Sequence, residues 1–460
     1  MGNRRWMTAA AAALALPGCA TRGPITVKCD IFNEVVTALP PSPLERDIQS
    51  DAADTLISHS VTAKARTASP LAPDPLGDAF RRAEPQREAM ATPEKGLPAR
   101  TQPPQPVQAL LLSGGGQWGA FGAGFLEALQ ASPAAIDPQI ITGVSTGGLQ
   151  SLFVAVGTPA AYDALVQAYT PKSQSDLVNA NPAVLAAITG SMAGIKPLRR
   201  RIERALCTDD TARDCPMIDA LAATPRQTLI GFVEASSGQF LVADVNRIAR
   251  RAAATPPNTP ARTRANKVSR DCLTGAALAS AGMPLFFQPV RIGSKVYYDG
   301  GVRQSVFLAS VAEAAANSMI AEDGHAAPAP TLYVIRNGPT QLLGKDGKPG
   351  NDPEVDKNHG AVTAALRAQS VIVNQVEIGS IAALRLFHPQ GRINLATADG
   401  YQNHVWTDAA NTKRQCDKGK ERFFNPDFMA CLRSLGRAKA ARPDSPWIDI
   451  RALPADKPRN

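Results

Sequence analysis

The fold is decided by a stretch that begins VQALLLSGGGQWG at residue 107 and closes QIITGVSTG at residue 147. The apolar run 107–112 is typical of a buried parallel strand, and a glycine-rich loop follows it directly. Residues 119–130 then carry large apolar side chains at helical spacing, and residues 139–142 read as the end of a second short strand. Strand, loop, helix and strand in this order predict the start of a parallel α/β domain.

The second strand leads into a serine motif. Residues 143–147 read GVSTG, the Gly-x-Ser-x-Gly pattern of a nucleophile elbow, in which a strand turns sharply into a helix. Small flanking residues permit the strained backbone of such a turn. We therefore predict that Ser145 is a nucleophile exposed at the tip of the turn, supported by Gly143 and Gly147.

The glycine-rich loop is a candidate oxyanion hole. A serine hydroxyl is a poor nucleophile at neutral pH, so it needs a nearby base and donors aimed at the oxyanion formed on attack. Gly114, Gly115, Gly116 and Gly119 offer unencumbered backbone N–H groups beside a helix N-terminus, where negative charge is stabilised. The competing interpretation is a dinucleotide site, which needs an acidic residue at the end of the second strand. This chain places the Ser145 motif there instead.

Three blocks of the sequence, taken together, resemble the patatin-like phospholipases, a family of serine lipid acyl hydrolases with a Ser-Asp dyad. The blocks are residues 112–121, residues 143–148, and residues 279–284 leading to the sequence Tyr298-Asp299-Gly300-Gly301. Their order and spacing match the family across roughly residues 107 to 340, and three blocks in order are far less expected by chance than any one. The resemblance implies a three-layer α/β/α domain with a mainly parallel central sheet.

By this resemblance Ser145 is the nucleophile, Asp299 is the general base, and the loop from Gly114 to Gly119 is the oxyanion hole. The implied reaction is hydrolysis of a phospholipid or another fatty-acyl ester through an acyl-enzyme, with no metal and no cofactor. A carboxylate takes a serine proton only where its pKa is raised or its geometry is favourable, and the apolar lead-in to Asp299 favours partial desolvation. Gly300 and Gly301 allow the backbone to bring Asp299 close to the serine.

One position departs from the family pattern. The family usually carries Arg or Lys in the oxyanion loop, and this chain reads Gln117-Trp118 there. A fixed positive charge is therefore missing, which keeps open a catalytically degenerate, lipid-binding lipoprotein. Trp118 fits a wall of the acyl site or a membrane contact, and a packed core position fits it about as well.

Two further alternatives concern the reaction. An α/β-hydrolase triad would use His388 or His404 as its base, since the chain order Ser, Asp, His is satisfied. Against it, Ser145 follows only the second predicted strand, and neither histidine lies in a recognisable motif. A soluble-ester esterase or a thioesterase that never meets a bilayer is the other alternative.

The first residues have the layout of a signal peptide. Arg4 and Arg5 precede an apolar, Ala-rich run at 9–16 that is too short for a permanent transmembrane helix. Small residues ahead of Cys19 resemble the lipobox of bacterial lipoproteins, in which the cysteine is lipidated. We therefore predict a signal peptide at 1–18 and a lipid anchor on Cys19, in the cell envelope at the outer membrane, facing the periplasm or the exterior. Because Pro17 is unusual in a lipobox, cleavage without lipidation stays open.

Composition divides the rest of the chain. Residues 19–106 are rich in Pro, Ala, Arg, Asp and Ser, a composition that buries too little apolar area to offset chain entropy. We expect a largely disordered tether there, with a short helix around 80–91. The catalytic domain is expected at 107–440, followed by a loose tail at 441–460.

The net charge of +9 is modest for 460 residues and favours anionic membrane surfaces only mildly. Arginine clusters at 199–204 and 247–251 suit phospholipid headgroups, although solvated helix faces are the favoured interpretation. The absence of aromatic interleaving or of a known reading module argues against a nucleic-acid partner.

Cleavage before Cys19 leaves six cysteines besides Cys19 itself, and an even number suits disulfides in an exported chain. The favoured pairings are Cys207–Cys215 and Cys416–Cys431, with Cys29–Cys272 left over. Buried free thiols are the alternative. The sequence contains no Cys-x-x-Cys pair and no histidine cluster, so no metal site is predicted.

Overall fold

The computed structural model describes residues 23–39, 74–91, 106–181, 191–307, 311, 314–315, 328–342, 360–389, 391–418 and 423–450. The predicted signal peptide at 1–18, the predicted anchor Cys19 and residues 451–460 lie outside this part of the chain. Residues 40–73 and 92–105 of the predicted tether lie outside it as well.

The strands in the described ranges are β1 (Ile25–Val27), β2 (Val36–Ala38), β3 (Gln108–Leu112), β4 (Ile140–Val144), β5 (Asn179–Ala180), β6 (Ser191–Gly194), β7 (Gln227–Glu234), β8 (Phe240–Asp244), β9 (Leu285–Phe287), β10 (Val290–Ile292), β11 (Lys295–Asp299), β12 (Thr331–Arg336), β13 (Arg392–Thr397), β14 (Val405–Thr407), β15 (Lys413–Gln415) and β16 (Ile448–Asp449).

The helices are α1 (Phe32–Val35), α2 (Pro75–Ala91), α3 (Gly119–Gln130), α4 (Thr146–Val156), α5 (Pro159–Ala168), α6 (Lys196–Leu206), α7 (Pro216–Ala223), α8 (Val245–Ala253), α9 (Pro260–Ser280), α10 (Ala361–Phe387) and α11 (Pro426–Ala440). Among these described helices, none has the length and apolar character needed to cross a membrane.

Most strands join one mixed sheet with a parallel centre. Its order is β1-β10-β11-β7-β4-β3-β12-β13-β16, and β8 and β2 branch from β7. The inner run β7-β4-β3-β12-β13 is parallel throughout, and the antiparallel pairs lie outside it. Two small sheets, β5-β6-β9 and β14-β15, are separate. The mainly parallel centre confirms the sheet expected from the sequence.

Helices cover both faces of this sheet. Successive side chains of a strand point to opposite faces, and in β3 Leu110 and Leu112 belong to one apolar cluster while Ala109 and Leu111 belong to the other. Helices α3, α4, α9 and α11 contribute to the first cluster, and α2 and α10 to the second. The predicted three-layer α/β/α fold is therefore confirmed.

Local sequence explains where three of the helices begin. Helices α5, α9 and α11 each follow a capping residue and a proline: Thr158-Pro159, Thr259-Pro260 and Asn425-Pro426. Each capping side chain accepts a hydrogen bond from a backbone N–H of the first turn. Proline lacks the N–H that would stay unpaired at this position, so the pair of residues fixes the helix start.

The N-terminal segment corrects the predicted tether. Strand β1 pairs in parallel with β10, β2 pairs with β8, and Phe32 packs on Phe232 and Tyr297. Residues 23–39 therefore belong to the folded domain. Composition averaged over 19–106 does not reveal this short apolar stretch, whose partners lie two hundred or more positions away in the sequence.

Two other segments are more ordered than expected. Helix α2, predicted near 80–91, begins at Pro75 and buries Leu76 and Phe80 completely. Strand β16 pairs with β13, and Trp447 packs on Phe125, so residues 441–450 are not a loose tail. Both segments are held by long-range contacts, which local composition does not reveal.

The three predicted disulfides, Cys29–Cys272, Cys207–Cys215 and Cys416–Cys431, are confirmed. The first ties the N-terminal segment to α9 across a sequence separation of 243 residues. The second joins the end of α6 to the start of α7.

Candidate active site

Ser145 makes the turn between β4 and α4 in a backbone conformation that non-glycine residues rarely adopt. Its φ is 54° and its ψ is −122°, and positive φ at a residue with a side chain is concentrated at strained functional sites. Strand β4 ends at Val144 and helix α4 starts at Thr146, so one residue makes the whole turn. The serine motif is thus a nucleophile elbow in geometry. Ser145 is only 8% exposed, however, so it does not project into open solvent as expected.

The glycines of the elbow are required by close packing. A Cβ on Gly143 would lie 2.3 Å from the carbonyl oxygen of Gly147, and a Cβ on Gly147 would lie 2.2 Å from that of Leu112. Both separations are far inside van der Waals contact. Any larger residue would force the strand and the helix apart, which explains the motif at the level of sterics.

Ser280, the last residue of α9, holds the elbow from the other side. The Ser145 N–H donates to Ser280 Oγ at 2.8 Å, and the same hydroxyl donates to the carbonyl oxygen of Gly231 at 2.7 Å. Sequence reasoning did not assign this bridge. Its signal was a serine at the end of an apolar helix, within the third family block.

Asp299 ends β11 and is completely buried. Its Oδ1 accepts a hydrogen bond from Gly301 N–H at 2.8 Å, whereas Oδ2 has no hydrogen bond of ordinary geometry to any described residue. Burial raises the pKa of Asp299 to about 7, although interaction with the Ser145 side chain and with Gly301 N–H lowers it. The structure therefore brings together the two predicted catalytic residues, and burial places the pKa of the carboxyl near neutral pH.

Gly300 allows the chain at the end of β11 to pass close to β4 and β7. A Cβ there would lie 2.8 Å from Val144 Cγ1 and 2.9 Å from the carbonyl oxygen of Gly231. The absence of a side chain is thus a condition for placing Asp299 beside the elbow.

The glycine-rich loop presents two unpaired amides rather than four. Gly114 N–H donates to Ser305 Oγ at 3.1 Å, and Gly119 N–H donates to carbonyls of the preceding turn. Gly115 and Gly116 have φ values of 146° and 57°, and their N–H groups make no hydrogen bond within the described part of the chain. Within the predicted oxyanion set, Gly115 and Gly116 are therefore the candidate donors in this structure, because the amides of Gly114 and Gly119 are already paired.

Gly114 and Gly119 have a packing role. A Cβ on Gly119 would lie 2.1 Å from Thr146 Oγ1, and one on Gly114 would lie 3.3 Å from the Ser145 Cβ. Gly114 and Gly119 allow the loop to approach the elbow, whereas Gly115 and Gly116, which lie between them, offer the backbone N–H donors.

A buried polar network supports the loop from below. Ser113 Oγ donates to the carbonyl oxygen of Gly114 at 2.7 Å and accepts from Asn337 N–H at 2.9 Å. The Asn337 amide donates to Gln150 Oε1 at 2.9 Å, and Gln150 Nε2 donates to the carbonyl oxygen of Gly119 at 2.7 Å. Both ends of the loop are therefore fixed by side chains.

A buried ion pair adjoins this network. Glu377 of α10 lies 3.3 Å from Arg336, and their side chains are 6% and 5% exposed. Burial raises the pKa of Glu377, while Arg336 and the hydroxyls of Ser113 and Ser305 lower it. Glu377 thus touches the two serines that hold the backbone of the loop. It was not predicted, because it lies far from every motif in the sequence.

A cavity of about 850 Å³ opens at Ser145 and extends between α4, α5, α6 and α7. Gly116 and Thr146 line its polar end, and the exposed Lys172 and Arg204 also line it. Its walls are mainly apolar and include Leu152, Phe153, Ala164, Leu198, Ile202 and Met217. A concave apolar space with a few polar groups at one point is typical of a ligand site. Asp299 does not line it, and its side chain is completely buried.

Trp118 is partly buried and packs against the core rather than lining this cavity. Its ring makes edge contacts with Tyr401 and Phe428, at centroid distances of 4.9 and 5.0 Å. The neighbouring Gln117 is buried, and its Oε1 accepts a hydrogen bond from Asn425 N–H at 3.0 Å. The residues that replace the family's basic position therefore tie the loop to the start of α11.

The two histidines of the alternative triad form hydrogen bonds away from Ser145 and Asp299. His388 Nε2 lies 2.8 Å from the carbonyl oxygen of Pro330, and His404 Nε2 lies 3.0 Å from Ser434 Oγ. Burial lowers the pKa of both rings. In the described residues neither ring contacts Ser145 or Asp299.

The fold and site define an α/β protein with a serine elbow facing a buried carboxyl. Residues 110–312 match the family model named patatin, described as patatin-like phospholipase. The chain therefore carries a patatin-like phospholipase domain, and the resemblance seen in the three sequence blocks is confirmed.

Other comparisons add less. The crystal structure of VipD from Legionella pneumophila is similar at 13% identity, over 73% of this chain and 66% of that chain, with a TM-score of 0.31. The chain thus spans slightly less than two thirds of VipD. No curated protein matches this chain.

Proposed function

We propose that this protein is a serine lipid acyl hydrolase of the phospholipase A or lysophospholipase type. The observation that carries the proposal is the interaction of the Ser145 side chain with the buried Asp299 carboxyl, whose pKa is about 7. A carboxyl with this pKa accepts a proton at neutral pH far better than an ordinary aspartate, since general-base catalysis is most effective when the pKa lies near the working pH.

In the proposed reaction Asp299 takes the proton of the Ser145 hydroxyl as Oγ attacks the ester carbonyl carbon. The N–H groups of Gly115 and Gly116 and the positive end of α4 stabilise the oxyanion. Protonated Asp299 then gives its proton to the leaving alkoxide. Water, deprotonated by Asp299, attacks the acyl-enzyme and releases the fatty acid, which restores both residues.

The cavity supports a fatty-acyl substrate. Its apolar walls begin at the nucleophile, so an acyl chain fits along it with the ester at Ser145. Each buried CH₂ contributes about 0.8 kcal/mol. The exposed cations Lys172 and Arg204 suit a phosphate-bearing substrate more than a neutral one.

The missing basic residue in the loop favours a second candidate, a degenerate lipid-binding protein. Gln117 and Trp118 are both engaged in packing and supply no charge to the oxyanion. Oxyanion stabilisation in the proposed enzyme therefore depends on two amides and one helix terminus. Covalent labelling by a fluorophosphonate separates the two candidates, because only an activated serine reacts.

The site of action is part of the same proposal. A lipid on Cys19 would hold the domain at the bacterial outer membrane, facing the periplasm or the exterior, with phospholipid as the nearest substrate. A soluble esterase or thioesterase would show no increase in turnover at vesicle interfaces.

The deciding experiment measures fatty-acid release from phospholipid vesicles. Ser145→Ala and Asp299→Asn are expected to lose at least about a thousand-fold in kcat while remaining folded. His404→Ala and His388→Gln serve as controls and are expected to keep near wild-type turnover. Full activity of Asp299→Asn together with loss in a histidine variant would instead support the triad.

A further inference from the structure

Helix α6 has one apolar face and one cationic face. It reads KPLRRRIERAL and buries Pro197, Ile202 and Leu206. Lys196, Arg200 and Arg204 are exposed. Within the described chain, the one ion pair of α6 joins Arg199 to Glu203 at 2.8 Å. Among the described residues, no carboxylate forms an ion pair with the three exposed cations.

This helix separates two cavities. Its Leu198 and Ile202 line the apolar cavity that opens at Ser145. Lys196 and Arg200 line a second cavity of about 540 Å³, together with Gly23 and Pro24. The same helix thus borders the candidate acyl site on one side and the N-terminal segment on the other.

The N-terminal segment is fixed beside α6. Strand β1 pairs with β10, Cys29 is bonded to Cys272, and Arg199 Nη1 donates to the carbonyl oxygen of Thr26 at 3.2 Å. An extended chain spans at most about 3.6 Å per residue, so the Cα atom of Cys19 can be no further than roughly 14 Å from that of Gly23. A long tether between Cys19 and the domain is therefore excluded by chain length.

We propose that the cationic face of α6 docks the domain directly onto an anionic phospholipid bilayer. Lys196, Arg200 and Arg204 would meet lipid phosphates, and the cavity at Ser145 would open next to the membrane surface. This deepens the proposed function, since it states how a bilayer lipid reaches the serine. Helix α8 also exposes Arg247 and Arg250, but it borders neither cavity, so its arginines form a matched comparison.

The test is co-sedimentation of the full chain with vesicles, carried out on a Cys19→Ser, Ser145→Ala background so that neither a lipid anchor nor turnover contributes. The parent is expected to bind phosphatidylglycerol vesicles, to bind phosphatidylcholine vesicles much less, and to lose binding in 1 M salt, where the screening length falls to about 3 Å. Lys196→Gln with Arg200→Gln is expected to weaken binding roughly 25-fold, at about fivefold for each charge. Arg247→Gln with Arg250→Gln is expected to change it less than about threefold.

Equal loss in the two double variants, or equal binding to both kinds of vesicle, would overturn the docking surface. Thermal unfolding of each variant checks that the fold is intact. In the otherwise unmodified chain, Lys196→Gln with Arg200→Gln is expected to lower vesicle hydrolysis and to leave hydrolysis of a soluble short-chain ester unchanged. Normal binding with no hydrolysis of either substrate would instead remove the proposed enzymatic function and leave the docking surface standing.

Discussion

Ser145 and Asp299 flank one strand, β7, at the same height. Val144 pairs with Gly231 and Asp299 pairs with Phe232, so Ser145, the residue after Val144, is level with Asp299. Neighbouring strands lie about 4.8 Å apart, which separates the two Cα atoms by roughly 10 Å. The sheet register itself therefore sets the candidate dyad.

The pKa of Asp299 predicts how the rate depends on pH. The base must be ionised, and its pKa is about 7, so kcat/KM is expected to fall about tenfold per unit below pH 7 and to level off above it. A soluble ester without ionising groups is the suitable substrate for the measurement. A rate that is constant from pH 5 to pH 8 would exclude Asp299 as the base.

The raised pKa of Asp299 also predicts that ionisation of this carboxyl destabilises the folded protein. The pKa of Asp299 is about 7 in the folded protein and 3.8 as the ordinary value, so between these values the folded state binds the proton more tightly. The contribution to stability is fully present below about pH 4 and is lost as the pH rises to about 7, by roughly 4 kcal/mol in total.

Asp299→Asn removes this cost. Its free energy of unfolding, relative to wild type, is expected to be larger at pH 8 than at pH 5 by roughly 2 to 3 kcal/mol. Denaturant titrations at both pH values measure it. Ser145→Ala keeps the carboxyl and should retain the pH-dependent loss, and parallel behaviour of Asp299→Asn and wild type would contradict the raised pKa.

Glu377 is predicted to act on the rate by positioning the oxyanion loop. In Glu377→Gln the Arg336 charge stays buried without its partner, which is expected to lower the free energy of unfolding by about 3 kcal/mol. Because the Ser113 and Ser305 hydroxyls then face a neutral amide instead of a carboxylate, kcat is expected to fall about tenfold while KM changes little.

Glu234→Gln is the control for that prediction. Glu234 also forms an ion pair, with Lys295 at 2.8 Å, but the lysine side chain is 49% exposed. Loss of such a pair is expected to cost less than about 1 kcal/mol and to leave kcat unchanged. Equal effects of the two substitutions on kcat would show that the ion pair at Arg336 has no special link to the site.

The cavity predicts a dependence on acyl-chain length. If each CH₂ contributes about 0.8 kcal/mol, kcat/KM is expected to rise about fourfold per carbon until the cavity is filled. Ala164→Trp should shorten the optimum chain by several carbons, because Ala164 lines the wall. Asp163→Trp places the same ring on α5 at an exposed position outside the cavity and should not change the optimum. An unchanged optimum in Ala164→Trp would place the acyl chain elsewhere.

Sequence reasoning succeeded where the information is local. The elbow at Ser145 and the Asp299-Gly300-Gly301 sequence each lie within a few residues, and close packing alone requires Gly143, Gly147 and Gly300. The helix from Gly119 to Gln130 and the strand from Thr331 to Arg336 follow directly from apolar periodicity.

Sequence reasoning failed where order comes from distant partners. β1 and β16 are too short to be recognised, and each is held by a strand or a disulfide far along the chain. The polar network around Glu377 likewise joins residues that are far apart in the sequence. Which loop amides are free could not be predicted either, because Gly114 is paired with Ser305, almost two hundred residues later.

The most direct measurement is peptide mapping of the adduct that a fluorophosphonate forms with the folded wild-type chain. The proposed dyad predicts one adduct, on Ser145, which is absent in Ser145→Ala and forms at least about a hundred-fold more slowly in Asp299→Asn. A folded chain that forms no adduct, or an adduct on Ser145 whose rate does not depend on Asp299, would contradict it.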